Sequence, residues 1–278
     1  MIQLPKISIV VAVYNGAATL AKCIESVKQQ KYLQKELIII DGGSNDSTVD
    51  ILQAYNKDIS YWESTKDRGI YHALNKGVAK AGGDWIVILG SDDYLWTDDV
   101  LEEAGQKLIQ VSSQYLIVYG RVAMVNRGYR VIAMHGEAWN SKIKKVFFTE
   151  KNVFPHQGVF HHKNLFQQYG NFSEDYKCAG DYEFFLRVLA KNNRQALFFD
   201  DLIVSGMRND GFSNQRKHAV EIFFEEIQAR KSALGHELPK CKFLYKLIRV
   251  WVKQLLARSF GELFVVYIII FYDKIFVR

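Results

Sequence analysis

Two adjacent carboxylates, Asp92 and Asp93, follow the apolar run Trp85-Ile86-Val87-Ile88-Leu89, with only Gly90 and Ser91 between. Acids side by side at the end of a buried strand repel each other, so they suit a divalent cation that cancels the charge and bridges two phosphate oxygens. The same pair can instead start a helix ahead of Thr97-Asp98-Asp99, and the sequence alone leaves both readings open. A second acid, Asp41, opens the loop Asp41-Gly42-Gly43-Ser44. Glycines there admit a flat ligand close to the backbone, and a carboxylate accepts base or ribose hydrogen bonds. A plain turn is the other reading of that loop. A third acid, Asp181, follows Gly180 at the start of a helical pattern, where a carboxylate is stabilised in its ionised form or simply caps the helix. Residues 154–162 hold three of the seven histidines, His156, His161 and His162, but their spacing is not that of a zinc site.

These groups need a frame that brings them together. Residues 7–13 form a continuous apolar, β-branched run, as expected of a strand covered on both faces, and Tyr14-Asn15-Gly16 ends it. Leu20, Ile24 and Val27 then recur at helical spacing. A second strand is expected over 36–40, a third near 59–62, a helix over 70–80 and a fourth strand over 85–89. Strand and helix alternating with short connections mark a parallel sheet covered by helices, and ligands of such sheets sit beyond the carboxyl ends of the strands. Farther along, 101–109 reads as a helix, 115–118 as a strand, 121–148 as short strand-like pieces, and 181–191 and 215–231 as helices. Residues 234–239 read as a linker, and there is no internal repeat.

The segments Ile7 to Gly16, Ile40 to Thr48, Asp67-Arg68-Gly69-Ile70-Tyr71-His72-Ala73-Leu74-Asn75-Lys76-Gly77 and Leu89 to Asp93 together resemble the nucleotide-sugar-binding half of family 2 glycosyltransferases with the GT-A fold, of the kind found in bacterial polysaccharide biosynthesis. The four motifs stand in the family's order across residues 5–95. The resemblance implies a nucleoside diphosphate sugar donor, with a UDP-sugar favoured, whose base lies near Val11, Ala12, Tyr14 and Asp41. It implies that Asp67 and Asn75 close over the nucleotide and sugar, that Arg68 reaches a phosphate, and that Ser91 and Asp92 meet the donor. It also implies that Asp92, with Asp93, binds Mg²⁺ or Mn²⁺ on the diphosphate. Many relatives carry an acid where this chain has Gly90, and a Glu-Asp pair where it has Gly180-Asp181. The match makes Asp181 the candidate general base and Glu183 the fallback, with His156 and Gln157 on the acceptor side. Inverting transfer needs such a carboxylate in reach of the acceptor hydroxyl. The loop 208–213 is expected either to close on the diphosphate or to be a turn.

At 278 residues, 49% hydrophobic and with 3 prolines, the chain excludes collagen, low-complexity disorder and a small disulfide scaffold. Cys23, Cys178 and Cys241 are scattered and form no C-x-x-C pair, so a reducing cytoplasm is expected, and the N-terminus does not read as a secretory signal. The net charge of +6 is not spread evenly, because residues 1–239 hold 28 basic and 28 acidic residues, whereas 240–258 hold six bases and no acid. Lys242, Lys246, Arg249 and Lys253 fall on one helical face, with Leu244, Leu247, Ile248, Trp251 and Leu255 opposite. That pattern predicts a tail lying on an anionic membrane surface, the other reading being a helix packed on the catalytic domain with its lysines in solvent. The apolar residues 263–272 are too few to span a bilayer. The expected organisation is therefore an α/β GT-A catalytic domain over 1–239, with a nucleotide-sugar half (5–95) and an acceptor half (96–239), and a membrane-associating tail over 240–278. The expected function is single addition of a sugar to a glycan or lipid-linked saccharide, peripherally at the cytoplasmic face of the inner membrane. A non-catalytic nucleotide-sugar-binding protein is the alternative. Nucleic acid is not an expected partner, since the charge of the domain balances.

Overall fold

The computed structural model describes residues 4–111, 113–191, 195–209 and 218–235. Its first part alternates β1 (Ile7–Val13), α1 (Leu20–Lys28), β2 (Lys35–Asp41), α2 (Thr48–Ala54), β3 (Tyr61–Ser64), α3 (Ile70–Lys80) and β4 (Trp85–Gly90). Strands β3, β2, β1 and β4 pair side by side in parallel, as the alternation of patterns predicts. The strands are apolar throughout because both faces of the sheet are covered. Successive side chains point to opposite faces, so Val10, Ile38, Ile40, Ile86 and Ile88 join one core cluster. Their neighbours Ile9, Val11, Ile39, Val87 and Leu89 join the other, which packs on α1 through Leu20, Ile24 and Val27.

The second part contributes β5 (Tyr94–Leu95), α4 (Val100–Leu108), β6 (Tyr115–Val125), β7 (Val131–His135), α5 (Ser141–Thr149), β8 (Val159–His162), α6 (Asn164–Tyr169), α7 (Gly180–Leu189), β9 (Gln195–Arg208) and α8 (Ala219–Leu234). All nine strands among the described residues belong to one mixed sheet of order β3-β2-β1-β4-β8-β6-β9-β5, with β7 paired to β6. Strand β8 is antiparallel to both β4 and β6, which leaves β6 and its parallel partner β9 running the same way as β4. The carboxyl ends of β1, β4, β6 and β9 therefore share one edge of the sheet.

Several expectations are corrected. Residues 141–149 are helical rather than strand-like, because Asn140 Oδ1 accepts hydrogen bonds from the amides of Lys142 and Ile143 (3.0 Å each) and the helix buries Ile143 and Phe147. The 14-residue β9 has no counterpart in the sequence reading; its exposed Asp200 and Asp201 interrupt the apolar pattern. Helix α8 runs through Leu234, into the expected linker, and ends at Gly235 in the left-handed conformation (φ 68°). No helix among the described residues is long and apolar enough to cross a membrane. The expected tail, 240–278, and most of the 208–213 loop lie outside the described residues.

Candidate active site

A cavity of about 340 Å³ opens at the shared strand edge. Ala12 of β1, Gly90 of β4, Met124 of β6 and Arg208 of β9 line it, together with Asp92, Asp93, His156, Gln157 and Asp181. It is of the size that holds a small ligand.

Asp181 lies in the first turn of α7, one residue inside Gly180, and is not itself the cap. Its Oδ1 accepts a hydrogen bond from the Tyr71 hydroxyl (3.3 Å), and its Oδ2 accepts one from Asn152 Nδ2 (3.0 Å). The Tyr71 oxygen also accepts the Asp181 amide (3.2 Å). Position 180 has to be glycine for this contact, since a Cβ there would lie 2.7 Å from the Tyr71 ring. Burial outweighs these donors and raises the Asp181 carboxyl to about 6. His156 Nδ1 stands 4.0 Å from Asp181 Oδ2. Burial against His161, Phe172 and Phe185 lowers the His156 imidazole to about 4, so the ring is neutral near pH 7.

The tandem acids behave differently from each other. Asp93 is buried, its Oδ1 accepting the Arg208 amide and its Oδ2 the Gly90 amide, both at 3.2 Å, with a further hydrogen bond from the Gln157 side chain. It fastens the end of β4 to the end of β9, and burial beside Asp92 pushes its carboxyl up. Asp92 is half-exposed and lines the cavity. A Cβ at Gly90 would come within 2.8 Å of Asp92 Oδ1 and 2.7 Å of Asp93 Oδ2. The two carboxylates thus fill the space that an acidic side chain at position 90 would have to cross. This donor set fits a hard cation held by one carboxylate and by substrate phosphates, the usual arrangement for Mg²⁺ and related ions.

Around the expected base site, the loops after β1 and β2 clasp each other. Asn15 N donates to Ser44 Oγ (2.7 Å), Gly16 N to Thr48 Oγ1 (2.9 Å), and Asn45 N to Asn15 Oδ1 (3.0 Å). Asp41 organises this clasp: it is fully buried and accepts the amides of Gly43 and Ser44 and the hydroxyls of Ser44 and Ser64. Tyr14 beside it is 62% exposed. Ser91 lies next to Gly16.

Other expected site residues are placed away from the cavity. The Val11 side chain faces the opposite core, as alternation along β1 requires. Arg68 Nη2 is 2.6 Å from Glu174 Oε2, in an ion pair rather than at the cavity wall. Both ends of the Asn75 amide hold the backbone of Phe172 (2.9 and 3.0 Å). Asp67 accepts the Gly69 amide (3.0 Å) and packs over Gly42. Glu183 is replaced as an acceptor-side or fallback group: two residues along a helix is a turn of about 200°, so it faces away from Asp181. It is buried in a forked pair with Arg187 (2.8 and 3.0 Å). His161 is a core residue whose Nδ1 meets the Ile86 carbonyl (3.1 Å).

The sequence reading passed over Tyr71 and Asn152, which hold the candidate base, and Glu225 of α8, whose carboxylate accepts the amides of Lys177, Cys178 and Ala179 at 2.8 Å each. Tyr71 belongs to the motif over 67–77. Nothing local distinguishes Glu225 from a surface acid.

Comparison with known proteins agrees with this fold. In solved structures the chain is similar to the mannosyltransferase PcManGT of Pyrobaculum calidifontis in complex with GDP-Man and Mn²⁺ (TM-score 0.63, 17% identity, covering 99% of this chain and 81% of that one). It is similar also to Staphylococcus aureus TarS 1–349 in complex with UDP (TM-score 0.59, 19% identity, 82% and 70%). At these identities the likeness is one of fold, the GT-A arrangement. An uncharacterized glycosyltransferase of Mycobacterium tuberculosis is 32% identical over 192 residues, covering 68% of this chain and 70% of its own. A PGL/p-HBAD biosynthesis glycosyltransferase of Mycobacterium bovis is 28% identical over 213 residues, 76% of this chain and 80% of its own. The profile of glycosyl transferase family 2 matches residues 8–170, more than half of the chain. With the sheet, the strand-end acids and the sequence match in agreement, the chain belongs to glycosyltransferase family 2 and is a nucleotide-sugar glycosyltransferase.

Proposed function

We propose that this enzyme is an inverting transferase that moves one sugar from a UDP-sugar to a hydroxyl of a glycan or lipid-linked saccharide, in the building of a cell-surface polysaccharide, at the cytoplasmic face of a membrane. The observation that carries the reading is that Asp92 and Asp181, from separate elements and 89 positions apart in the chain, line one cavity. The UDP and UDP-GlcNAc complexes of the structurally similar TarS support a UDP-sugar, and the GDP-Man complex of PcManGT makes a GDP-sugar the competing donor.

In this scheme Asp181 takes the proton of the acceptor hydroxyl as that oxygen bonds to the anomeric carbon. The bond from that carbon to the diphosphate oxygen breaks, and the nucleoside diphosphate leaves with the electron pair. A base works best with a pKa near the working pH, which burial gives Asp181. Tyr71 and Asn152 fix its two oxygens, leaving their remaining lone pairs to the acceptor. Neutral His156 adds no charge that would hold the carboxylate in a pair. Asp92 would hold Mg²⁺ or Mn²⁺, which supplies positive charge to the leaving diphosphate when bound. Asp93 and Gln157 keep the Asp92 turn in place. Tyr14 and the clasped loops around Asp41 receive the base, with Asp67 packed over Gly42 of the same loop.

The experiment is a screen of UDP- and GDP-sugars for donor hydrolysis and transfer by the purified full-length chain with Mn²⁺. Turnover that is lost in Asp181→Asn while UDP affinity persists supports the reading. Binding of UDP with no turnover of any donor would replace it with a non-catalytic nucleotide-sugar-binding role.

A further inference from the structure

The β6–β7 hairpin borders the cavity. Met124 on β6 and His135 on β7 line the cavity wall, and the two strands are joined by a turn at 126–130, directly past the end of β6 at Val125. The turn is tightly built. Asn126 N donates to the Arg130 carbonyl (3.0 Å), and Asn126 Oδ1 accepts the amides of Gly128 (2.9 Å) and Arg130 (3.0 Å). Tyr129 holds a left-handed backbone (φ 60°) that an aromatic residue rarely adopts. Its ring is secured by Lys22 Nζ, 3.6 Å from the ring centroid, and by Tyr94, 5.7 Å away edge to face. Tyr94 directly follows Asp93, so the hairpin is anchored to the acidic turn of the site.

On this stiff support the outward residues are apolar. Val131, Ile132 and Met134 are 49%, 51% and 42% exposed, adjacent along a strand whose described pairing is to β6 alone. Soluble proteins cover or charge such an edge, and an apolar one marks an association surface. The charge around it is one-sided. Residues 121–151 carry seven bases and two acids, in a domain whose charges balance only as a whole, and Arg127, Arg130, Lys142, Lys145 and Lys151 are exposed. The same stretch meets the cavity at Met124, at His135 and, just past its end, at Asn152.

We propose that this hairpin, with the basic flank of α5, is a membrane-docking element that sets the mouth of the cavity on an anionic bilayer. Exposed aliphatic side chains enter the interface while arginine and lysine meet lipid phosphates. A second copy of the chain fits less well, since a two-fold contact sets the same basic patch against itself. The inference rests on the lipid-linked acceptor proposed above: docking here brings the cavity to a hydroxyl carried at the membrane surface. It is separate from the tail at 240–278.

The test places an environment-sensitive fluorophore on Ile132→Cys, in the full-length chain carrying Cys178→Ser and Cys241→Ser. The control site is Leu33→Cys, 87% exposed just before β2 and hence at the strand ends away from the cavity. With phosphatidylcholine vesicles containing phosphatidylglycerol, the label at 132 is expected to shift to the blue and be quenched by brominated acyl chains, and the label at 33 to stay in water. Val131→Ser with Ile132→Ser and Met134→Gln should lower vesicle affinity about tenfold or more and leave donor hydrolysis unchanged. A label at 132 that stays hydrated on vesicles that bind the protein overturns the proposal, as does failure of the full-length chain to bind them. A shift that follows protein concentration without vesicles overturns it in favour of a second copy. Donor hydrolysis without vesicles reports on the transferase reading independently.

Discussion

Replacing Asp181 by asparagine should remove activity and at the same time make the fold more stable at neutral pH. Asp181 titrates at about 6 in the folded protein against an ordinary 3.8, because burial disfavours the carboxylate more than Tyr71 and Asn152 favour it. The folded state therefore holds this proton more tightly than the unfolded chain does. Its stability falls as pH rises from about 4 to about 6 and then levels off. At 1.36 kcal/mol per pH unit, ionisation of Asp181 costs about 3 kcal/mol above pH 7. Asparagine has the same shape and does not titrate, but its amide nitrogen turns a donor toward Tyr71 or Asn152, losing about 1 kcal/mol. The variant should thus match or fall slightly below the parent near pH 4 and exceed it by about 2 kcal/mol at pH 8. Urea denaturation of both proteins across this range, followed by tryptophan fluorescence, measures the gap. Transfer and UDP affinity measured on the same samples separate the loss of a base from the loss of a binding site. Parallel stability curves would refute the burial argument, and transfer surviving at more than a few per cent of the parent rate would refute the assignment of the base.

The same pKa predicts that kcat/KM rises with pH through about 6 as Asp181 loses its proton, and that the rising limb is missing from any residual activity of Asp181→Asn. Asp92→Ala should abolish the dependence of donor affinity on Mn²⁺, seen by titrating a UDP-sugar with and without the metal; unchanged metal dependence would move the cation elsewhere. Glu225→Ala should cost roughly 2–4 kcal/mol by denaturation, because three backbone amides ahead of α7 lose one charged acceptor, and should lower kcat more than nucleotide affinity. Glu183→Ala should cost about 3 kcal/mol by leaving Arg187 without a carboxylate in a mostly buried position, yet preserve kcat in the fraction that remains folded.

Much of the donor half was legible because its signals are local. A β-branched run between polar turns makes a covered strand wherever it is placed, and the helix expected over 70–80 is α3 to the residue. The acids at 41 and 92 were found for the same reason, since a parallel sheet carries its loops at strand ends regardless of how the remaining chain packs. The second half was harder to read. In β9 the apolar pattern breaks at Asp200 and Asp201, and in α5 the apolar pair Phe147-Phe148 blurs the difference between a period of two and one of 3.6.

By itself the sequence determined the order of strands and helices in the donor half, the identity of the strand-end acids, and the confinement of the net charge to 240–258. Each of these is a property of neighbouring residues. Only the tertiary structure decided which of them act together. Asp181 was separated from Glu183 by helix phase and by Tyr71, 110 positions away, and Asp93 was separated from Asp92 by the amide of Arg208, 115 positions away. The balanced charge of the domain likewise resolved into a basic, apolar hairpin beside the cavity once β6 and β7 were paired. Contacts across such distances depend on sheet register and on how helices dock, and burial, which sets the carboxyl of Asp181, exists only after the chain has closed around it.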